Sequence, residues 1–349
     1  MKRKSFLAFV APSLVSMLLL IAMPLVGVVY LALHQSRVQT ELVEVTTEVP
    51  LFGGVTREET RMVPQPVLDE NGDAIRVWEF VGAENLRRAA DVEGLGAALG
   101  GARQATSISG VVSELYREVI NVDFWSALEF TLIYTFVTTP CILAFGLALA
   151  LAVNRASERL KGTMIFVSLL PMIVTPVVSS LAVYWMFLDG ALIPALIEAL
   201  GFGRFYFLAD QTTIRVLIVA YGIWFATPFA FILYYAALQT VPRDPLEAAV
   251  MDGANAWQRL RYVILPHLAP ITAVIAAIHV MDAYRVFEPI LVFGSRVYAN
   301  SVQYLTYYTL AFEDNVHKAG AYALLTVAGI VVLLIPLLLR TWREHRAGR

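Results

Sequence analysis

The sequence has few charged residues for its length and almost no cysteine. Lysine, arginine, aspartate and glutamate make up 15% of the 349 residues, compared with about 25% in soluble globular chains. The single cysteine, Cys141, excludes an intrachain disulfide framework and any cysteine-based metal cluster. Because Cys141 lies in an apolar run, we interpret it as a small packing residue. A formal net charge of −2 gives no general electrostatic affinity for nucleic acid.

The sequence also lacks the motifs of common membrane enzymes and nucleotide-binding domains. It has no H-E-x-x-H, no G-x-S-x-G with a partnered histidine and no paired-aspartate motif at a membrane face. An intramembrane enzyme is therefore the weakest interpretation, and we predict no catalytic residue, no metal site and no cofactor bound by this chain. Because no P-loop G-x-x-x-x-G-K-[ST] is present, energy from ATP must come through a partner.

Long apolar runs dominate the sequence, of which 58% is hydrophobic. About 20 apolar residues cross a bilayer as a helix, and six stretches are long enough. The first has no clean A-x-A cleavage site and exceeds a signal-peptide core, so we predict an uncleaved anchor. The sequence predicts an all-α polytopic membrane protein with six transmembrane helices: Phe6–Leu33, Trp125–Val153, Thr163–Leu188, Thr213–Leu238, Ala269–Phe293 and Ala319–Leu339.

Basic residues near the ends of these runs predict their direction, since lysine and arginine are retained on the cytoplasmic side. The opposite short loops hold only Arg204, Arg215, Arg296 and Lys318. Both termini are therefore predicted to be cytoplasmic. The residues that carry this prediction are Lys2, Arg3, Lys4, Arg155, Arg159, Lys161, Arg243, Arg259, Arg261, Arg340, Arg343, Arg346 and Arg349.

A polar block follows the first run and is predicted to face outward. Glu41–Val81 alternates like strand material, with Asn71-Gly72 as a hairpin turn. Ala83–Asp91 and Val111–Ile120 look helical, and the glycine-rich stretch between them looks like a loop. We predict a small extracytoplasmic β-containing insertion after helix 1. Two interpretations stay open: a docking or gating surface for an extracytoplasmic partner, or a structural cap.

These observations divide the chain into three parts. Residues 1–34 hold the cytoplasmic N-terminus and transmembrane helix 1, and residues 35–123 form the extracytoplasmic loop with its β-rich block. Residues 124–349 form a five-helix core, which includes a cytoplasmic segment at 239–268.

That segment, here called the coupling segment, carries the strongest local signals. Asp244 suits an N-cap, Pro245 the first helical position, and Glu247 completes a capping-box-like arrangement. The helix is predicted to stop near Gly253, because glycine permits the left-handed C-terminal geometry. A second short helix, about Asn255–Ile264, is predicted to run to Pro266 and into the fifth span.

The coupling segment resembles that of a known family, the integral-membrane subunits of binding-protein-dependent ABC importers in the maltose-type carbohydrate group. The family pattern E-A-A-x-x-D-G-A, followed by a gap and a proline, stands here at Glu247, Ala248, Ala249, Asp252, Gly253 and Ala254, with Pro266 beyond. The resemblance covers roughly Phe80–Arg346, because four further segments also resemble family sequences. They are FVGAENL, LALALAVNR, LLPMIVTPVVSSLAVYWMF and PFAFILYYAALQTVPRD.

The resemblance implies a function and a set of partners. The chain would be the permease subunit of a bacterial-type inner-membrane importer, forming the path for a carbohydrate or carbohydrate-like solute. The two short helices would dock on an ATP-hydrolysing subunit, with Glu247 as the charged contact and Gly253 as the pivot. Implied partners are a second homologous permease chain in a heterodimer, two ATP-binding subunits that hold ATP and Mg, and an extracytoplasmic solute-binding protein.

The sequence departs from the family at three places on the outer side. Many relatives carry Thr-x-Gly-Gly-Pro where this chain has FGSRVYANSVQYL at Phe293–Leu305, and GALIPALIEALG lacks the usual asparagine. Glu41–Val81 looks like an insertion beyond the usual first outer loop. On the inner side, Leu260 stands where the family usually has phenylalanine, a change that a packed helix tolerates.

Polar and aromatic side chains inside two spans suggest where a solute passes. In span five, Asp282, Arg285 and Glu288 recur every three residues and share a predicted helix face with Tyr284. In span four, Tyr221, Trp224 and Phe225 form an aromatic stripe. Rings beside charged groups suit a polyhydroxylated ligand. The alternative is that the charges only neutralise each other and the rings only pack.

A function from another class also stays open. The chain would then be a membrane receptor or assembly factor that uses the outer β-block as a sensor and the inner helices as a passive anchor. Recovery of an ATPase in a pull-down would favour the transport subunit, whereas recovery of signalling proteins alone would favour the receptor.

Overall fold

A computed structural model describes residues 3–50, 56–72, 74–102, 119, 122–294 and 298–347. Two π-helical turns, Leu18–Ala22 and Leu260–Ile264, join neighbouring helices. The strands are β1 (His34–Val38), β2 (Thr40–Pro50), β3 (Thr56–Pro66) and β4 (Arg76–Phe80). The helices are α1 (Arg3–Met17), α2 (Met23–Leu33), α3 (Glu84–Ala89), α4 (Val92–Ala102), α5 (Asp123–Arg155), α6 (Glu158–Ile173), α7 (Pro176–Phe187), α8 (Leu192–Ala199), α9 (Gln211–Leu238), α10 (Arg243–Met251), α11 (Ala256–Arg259), α12 (Leu265–Ala283), α13 (Glu288–Val292), α14 (Val302–Ala311) and α15 (Val316–Ala347).

Six helical stretches in the described residues are long and apolar enough to cross a membrane, which confirms the predicted six-span, all-α membrane fold with a small β insertion. We call them spans one to six in chain order. They are Val10–Leu33, Asp123–Arg155, Pro176–Ala199, Gln211–Leu238, Ala256–Val292 and Val316–Leu339.

Span three differs from its prediction. The sequence predicts one helix over Thr163–Leu188, but the chain forms α6 and α7 with a break between them. Thr175 is extended at φ −61° and ψ 147°, the conformation that a following proline imposes, and Pro176 then begins α7. A second break, with Gly190 at φ +72°, separates α7 from α8.

The chain divides into two compact units, the first of which comprises Met1–Ala89 and Asp314–Leu324. Its strands form two antiparallel pairs: β1 pairs with β4, and β2 pairs with β3 over eleven residues each. The predicted Asn71-Gly72 turn is confirmed, with Gly72 at φ +89° donating its N–H to the Asp69 carbonyl. Strand structure begins at His34, earlier than predicted, directly after span one.

Helices follow the strands, with one correction. The predicted helix Ala83–Asp91 appears as α3, whereas the glycine-rich stretch predicted as a loop forms α4. An Asp91 carboxylate oxygen accepts the N–H of Gly94 at 2.9 Å, which caps the first turn of α4 and offsets the low helix propensity of its glycines. The predicted helix Val111–Ile120 falls almost entirely outside the described residues.

The second unit, Ala90–Glu313 and Leu325–Arg349, contains α5 and α9 packed closely together. A Cβ at Gly146 would lie 2.6 Å from that of Ala230, and a Cβ at Gly222 would meet the Tyr134 hydroxyl. Small residues at these positions therefore let the two helix backbones approach. Two buried clusters flank the contact, one around Phe130, Ile218 and Ile290 and the other around Ile142, Phe231 and Leu268.

Candidate functional site

The coupling segment begins with α10, whose start differs from the prediction. The helix begins at Arg243 with Pro242 as its N-cap, and no side chain caps it. Asp244 therefore lies in the first turn, and Glu247 makes no capping-box bond. The N–H groups of a first helical turn have no partner within the helix, so Pro245 is tolerated at the third position as well as at the first.

The end of α10 confirms the predicted helix stop at Gly253. Gly253 has φ +79°, and its N–H donates to the Val250 carbonyl at 3.0 Å. The N–H of Ala254 donates to the Ala249 carbonyl at 2.9 Å. This pair of bonds is a Schellman motif, which reverses the chain sharply and satisfies the last carbonyls of the helix.

The second helix of the segment starts with a capping box that sequence reasoning missed. The Asn255 side chain accepts the N–H of Gln258 at 2.9 Å, and the Gln258 side chain accepts that of Asn255 at 2.8 Å. The signal was present, because N-x-x-Q has the spacing of a capping box. Helical structure then continues through the π-turn and past Pro266 to Ala283, so this helix runs into span five as predicted, but it forms one continuous stretch rather than a separate short helix. The wider turn accommodates a residue that lacks an N–H.

The coupling segment exposes apolar side chains. Met251 is 89% exposed and Trp257 is 63% exposed, and Val250 and Tyr262 are also exposed. A groove of about 550 Å³ beside them is lined by Arg155, Leu246, Glu247, Val250, Met251, Ala256, Arg259 and Ile264. Among the motif residues, Ala249 and Ala254 are half-buried, whereas Glu247, Ala248, Asp252 and Gly253 are exposed. Exposed apolar patches of this kind mark contact surfaces.

A second candidate site is a cavity of about 600 Å³ between spans two to five, here called the polar cavity. This volume lies in the range of small-molecule sites. Five of the seven residues predicted for the solute path line it: Tyr221, Phe225, Asp282, Arg285 and Glu288.

The charged residues reach the polar cavity in a different way from that predicted. They do not share one helix, because α12 ends at Ala283 and α13 begins at Glu288. Pro289 is the physical reason, since a proline cannot donate to the preceding turn but suits the start of a new helix. The turn between the helices still brings all three to one cavity, where Arg285 Nη2 lies 3.1 Å from Asp282 Oδ1.

The other two predicted residues lie elsewhere. Trp224 points to a separate apolar cavity of about 740 Å³ between α5, α6 and α9. Tyr284 is buried, with its hydroxyl against Gly329 in span six. Neither residue lines the polar cavity. Tyr284 follows the end of α12, and Trp224 lies on a different face of α9 from Tyr221 and Phe225.

Several residues of the polar cavity were not singled out from the sequence. Tyr134 and Gln303 line it, as does His279, whose ring nitrogen lies 3.0 Å from the Thr138 hydroxyl. The Tyr221 hydroxyl contacts the Ser179 hydroxyl at 2.6 Å and donates to the Pro176 carbonyl at 2.9 Å. Of these residues, only His279 could have been identified from the sequence, because an ionisable residue inside a span usually faces a cavity or a partner. Among the described residues, no group of three or more histidine, cysteine or acidic side chains is placed to hold a metal ion.

Residues 123–349 match the protein family described as "Binding-protein-dependent transport system inner membrane component". The chain is 33% identical to the trehalose transport system permease protein SugA of Mycobacterium tuberculosis over 62% of its own length and 69% of that protein. It is 31% identical to the inner membrane ABC transporter permease protein YcjO of Escherichia coli over 68% of its length and 80% of that protein.

Solved structures show the same fold. A bacterial ABC transporter involved in the import of the acidic polysaccharide alginate has a similar chain, with a TM-score of 0.58 at 20% identity. The similarity covers 72% of this chain and 89% of that chain. By family match, relatives and fold, this chain belongs to the inner-membrane permease components of binding-protein-dependent ABC transport systems.

Proposed function

We propose that this chain forms part of a carbohydrate pathway through the inner membrane and couples it to ATP hydrolysis on a partner subunit. Support for the substrate class comes from relatives named as trehalose and lactose permeases. The polar cavity combines tyrosine rings with charged groups, which suits a hydroxyl-rich solute. The proposed path residues are Tyr221, Phe225, Asp282, Arg285 and Glu288, joined by Tyr134, His279 and Gln303. Trp224 and Tyr284 lie outside it.

The observation that carries the coupling role is the exposed hairpin of α10 and α11. Glu247, Ala248, Ala249, Asp252, Gly253 and Ala254 fall on the first helix and its Schellman turn, beside exposed Met251 and Trp257. A short helix that presents apolar side chains at a membrane face is suited to fill a groove on another subunit. The partner would hydrolyse ATP, because this chain has no P-loop.

The proposed orientation has the coupling segment and both termini in the cytoplasm. Basic residues lie within the segment and between spans two and three, as expected for the cytoplasmic side. Between spans two and three, the hydrogen bond from Lys161 to Glu158 at 2.6 Å raises the pKa of the Lys161 ammonium group.

The proposed assembly contains two permease chains, this one and a related one, with two ATP-binding subunits that hold ATP and Mg. A solute-binding protein would deliver the carbohydrate on the outer side. This chain would bind no cofactor of its own and would contact lipid over the apolar faces of its spans.

A cross-linking experiment tests the coupling role directly. Cys141→Ala removes the only cysteine, and Met251→Cys then places a thiol on the proposed contact surface. In the complex purified from membranes, we expect a thiol cross-linker to join this chain to an ATP-hydrolysing subunit. Leu192→Cys, on the exposed surface of α8, is the matched control and should give no such product. Cross-linking of both variants to the same ATPase, or of neither, would contradict the proposal.

A further inference from the structure

The polar cavity contains one acidic side chain that the described part of the chain does not neutralise. Asp282 is paired with Arg285 at 3.1 Å, and both side chains are more than half exposed. Glu288 also lines the cavity, but its carboxylate makes no ion pair or hydrogen bond with any described residue. The three groups together therefore carry a net charge of −1, and this charge resides on Glu288.

The neutral polar groups around Glu288 are largely occupied by one another. The Tyr221 hydroxyl is held by Ser179 and the Pro176 carbonyl, and His279 is held by Thr138. Gln303 and Tyr134 are the exceptions, since the Gln303 amide and the Tyr134 hydroxyl make no hydrogen bond within the described residues. A solute that enters the cavity thus meets a free carboxylate and a free amide.

We propose that Glu288 selects the charge of the solute, so that the cavity accepts neutral and amino-bearing saccharides and excludes uronic acids and other anionic saccharides. A carboxylate only accepts hydrogen bonds, and it bonds most strongly to hydroxyl and ammonium donors. Two like charges repel more strongly in a protein interior than in water, because the effective dielectric constant is lower. This inference rests on the proposed carbohydrate pathway.

The charge of the cavity can be measured without knowing the solute. We would introduce Gln303→Cys in the Cys141→Ala background and reconstitute the complex in lipid. The rate of thiol modification would be measured with two methanethiosulfonate reagents of similar size, one with a trimethylammonium group and one with a sulfonate group. The ratio of the cationic to the anionic rate reports the local electrostatic potential.

We expect the unaltered cavity to favour the cationic reagent. Glu288→Gln should lower the ratio by about tenfold, which corresponds to roughly 1.4 kcal/mol. Glu198→Gln, on exposed α8, removes the same charge away from the cavity and should leave the ratio unchanged. If the ratio in the Glu288→Gln variant equals that of the protein with Glu288, the proposal is overturned. Failure of both reagents to reach the introduced thiol would also overturn it, because they are smaller than a disaccharide.

Uptake into vesicles then separates this inference from the function on which it rests. With its binding protein and ATP, the complex should transport a neutral disaccharide or an amino sugar in preference to a uronic acid. Faster transport of uronic acids would refute charge selection by Glu288 while leaving the carbohydrate pathway intact. If no saccharide is transported, the proposed substrate class is wrong, whatever the thiol measurement shows.

Discussion

Gly253 shows how one residue determines the shape of the coupling segment. Its φ of +79° lies in the left-handed region, where other L-residues incur a cost of about 1–2 kcal/mol. A Cβ would meet no atom within 4 Å, so the requirement for glycine comes from the backbone alone. The sequence predicted this turn because the steric rule is local.

At this position, we predict that Gly253→Val uncouples the complex. The strained turn should misalign α10 with α11 and reduce ATP hydrolysis stimulated by the loaded binding protein by about tenfold, the equivalent of roughly 1.4 kcal/mol. Gly253→Asn should retain most of the stimulation, because asparagine tolerates the left-handed region. Gly201→Val, with φ +86° in the loop after α8, is the second control. Equal losses in the Gly201 and Gly253 variants would point to general misfolding.

Other residue-level predictions failed because the sequence left alternatives that only tertiary structure decides. Pro245 fits several positions in a first turn, so it did not fix the start of α10. The contact between Thr138 and His279 joins residues 141 positions apart, and no local pattern reports such a pair. Trp224 and Phe225 are adjacent in sequence, yet they line different cavities.

At the scale of elements, the packing of spans two and four depends on glycine. Hydropathy identified both spans, because crossing the membrane requires long apolar runs, but it could not identify the partner of each helix. Gly146 provides that information in the structure, since its missing side chain leaves room for Ala230 and for the backbone of Phe231.

We therefore predict that Gly146→Ala destabilises the helix pair. The added Cβ would lie 2.6 Å from the Ala230 Cβ and 3.0 Å from the Phe231 nitrogen, so backbone must shift, at a cost of about 1–3 kcal/mol. Gly162→Ala is the matched control, because nothing lies within 4 Å of the new atom. Thermal unfolding in detergent should show a lower Tm for Gly146→Ala alone. Equal Tm values would mean that the helices do not rely on this close approach.

The β insertion divides into two parts with different roles in the fold. Strands β2 and β3 pair only with each other, whereas β1 and β4 adjoin the first span and the start of α15. The Ser36 N–H donates to His317 Nε2 at 3.0 Å, and the Trp78 ring meets His317 edge to face at 5.1 Å. Alternation predicted the strands, but it could not separate these two pairs.

Deletion of β2 and β3 tests this division. The Val67 N–H donates to the Gln39 carbonyl at 2.8 Å, so an Asn-Gly turn can join these residues when Thr40–Pro66 is removed. We predict normal accumulation in the membrane and an unchanged Tm. A longer deletion through Phe80 removes Trp78 and the partner of β1 and should lower both. If the short deletion is as harmful as the long one, the β2–β3 pair is part of the structural core.

At the scale of the whole molecule, the sequence predicted the number of spans and the family, but it predicted the lining of the polar cavity only in part. The number of spans and the family follow from hydropathy and from the motif at Glu247–Ala254. The breaks at Thr175 and after Ala283 change which side chains meet, and they depend on how each proline is accommodated. The polar cavity was therefore predicted only in part, through Tyr221, Phe225 and the three charged residues.

The continuous helical path from Ala256 to Ala283 has a mechanical consequence. It passes through the π-turn without interruption, so Trp257 and Asp282 lie on one rod of 28 residues, with about 38 Å between them at 1.5 Å per residue. If this rod pivots near its middle, a tilt of about 10° moves each end by about 3 Å in opposite directions. In the proposed complex, a push on Trp257 from the ATP-hydrolysing subunit would then shift Asp282 and its paired Arg285 at the wall of the polar cavity.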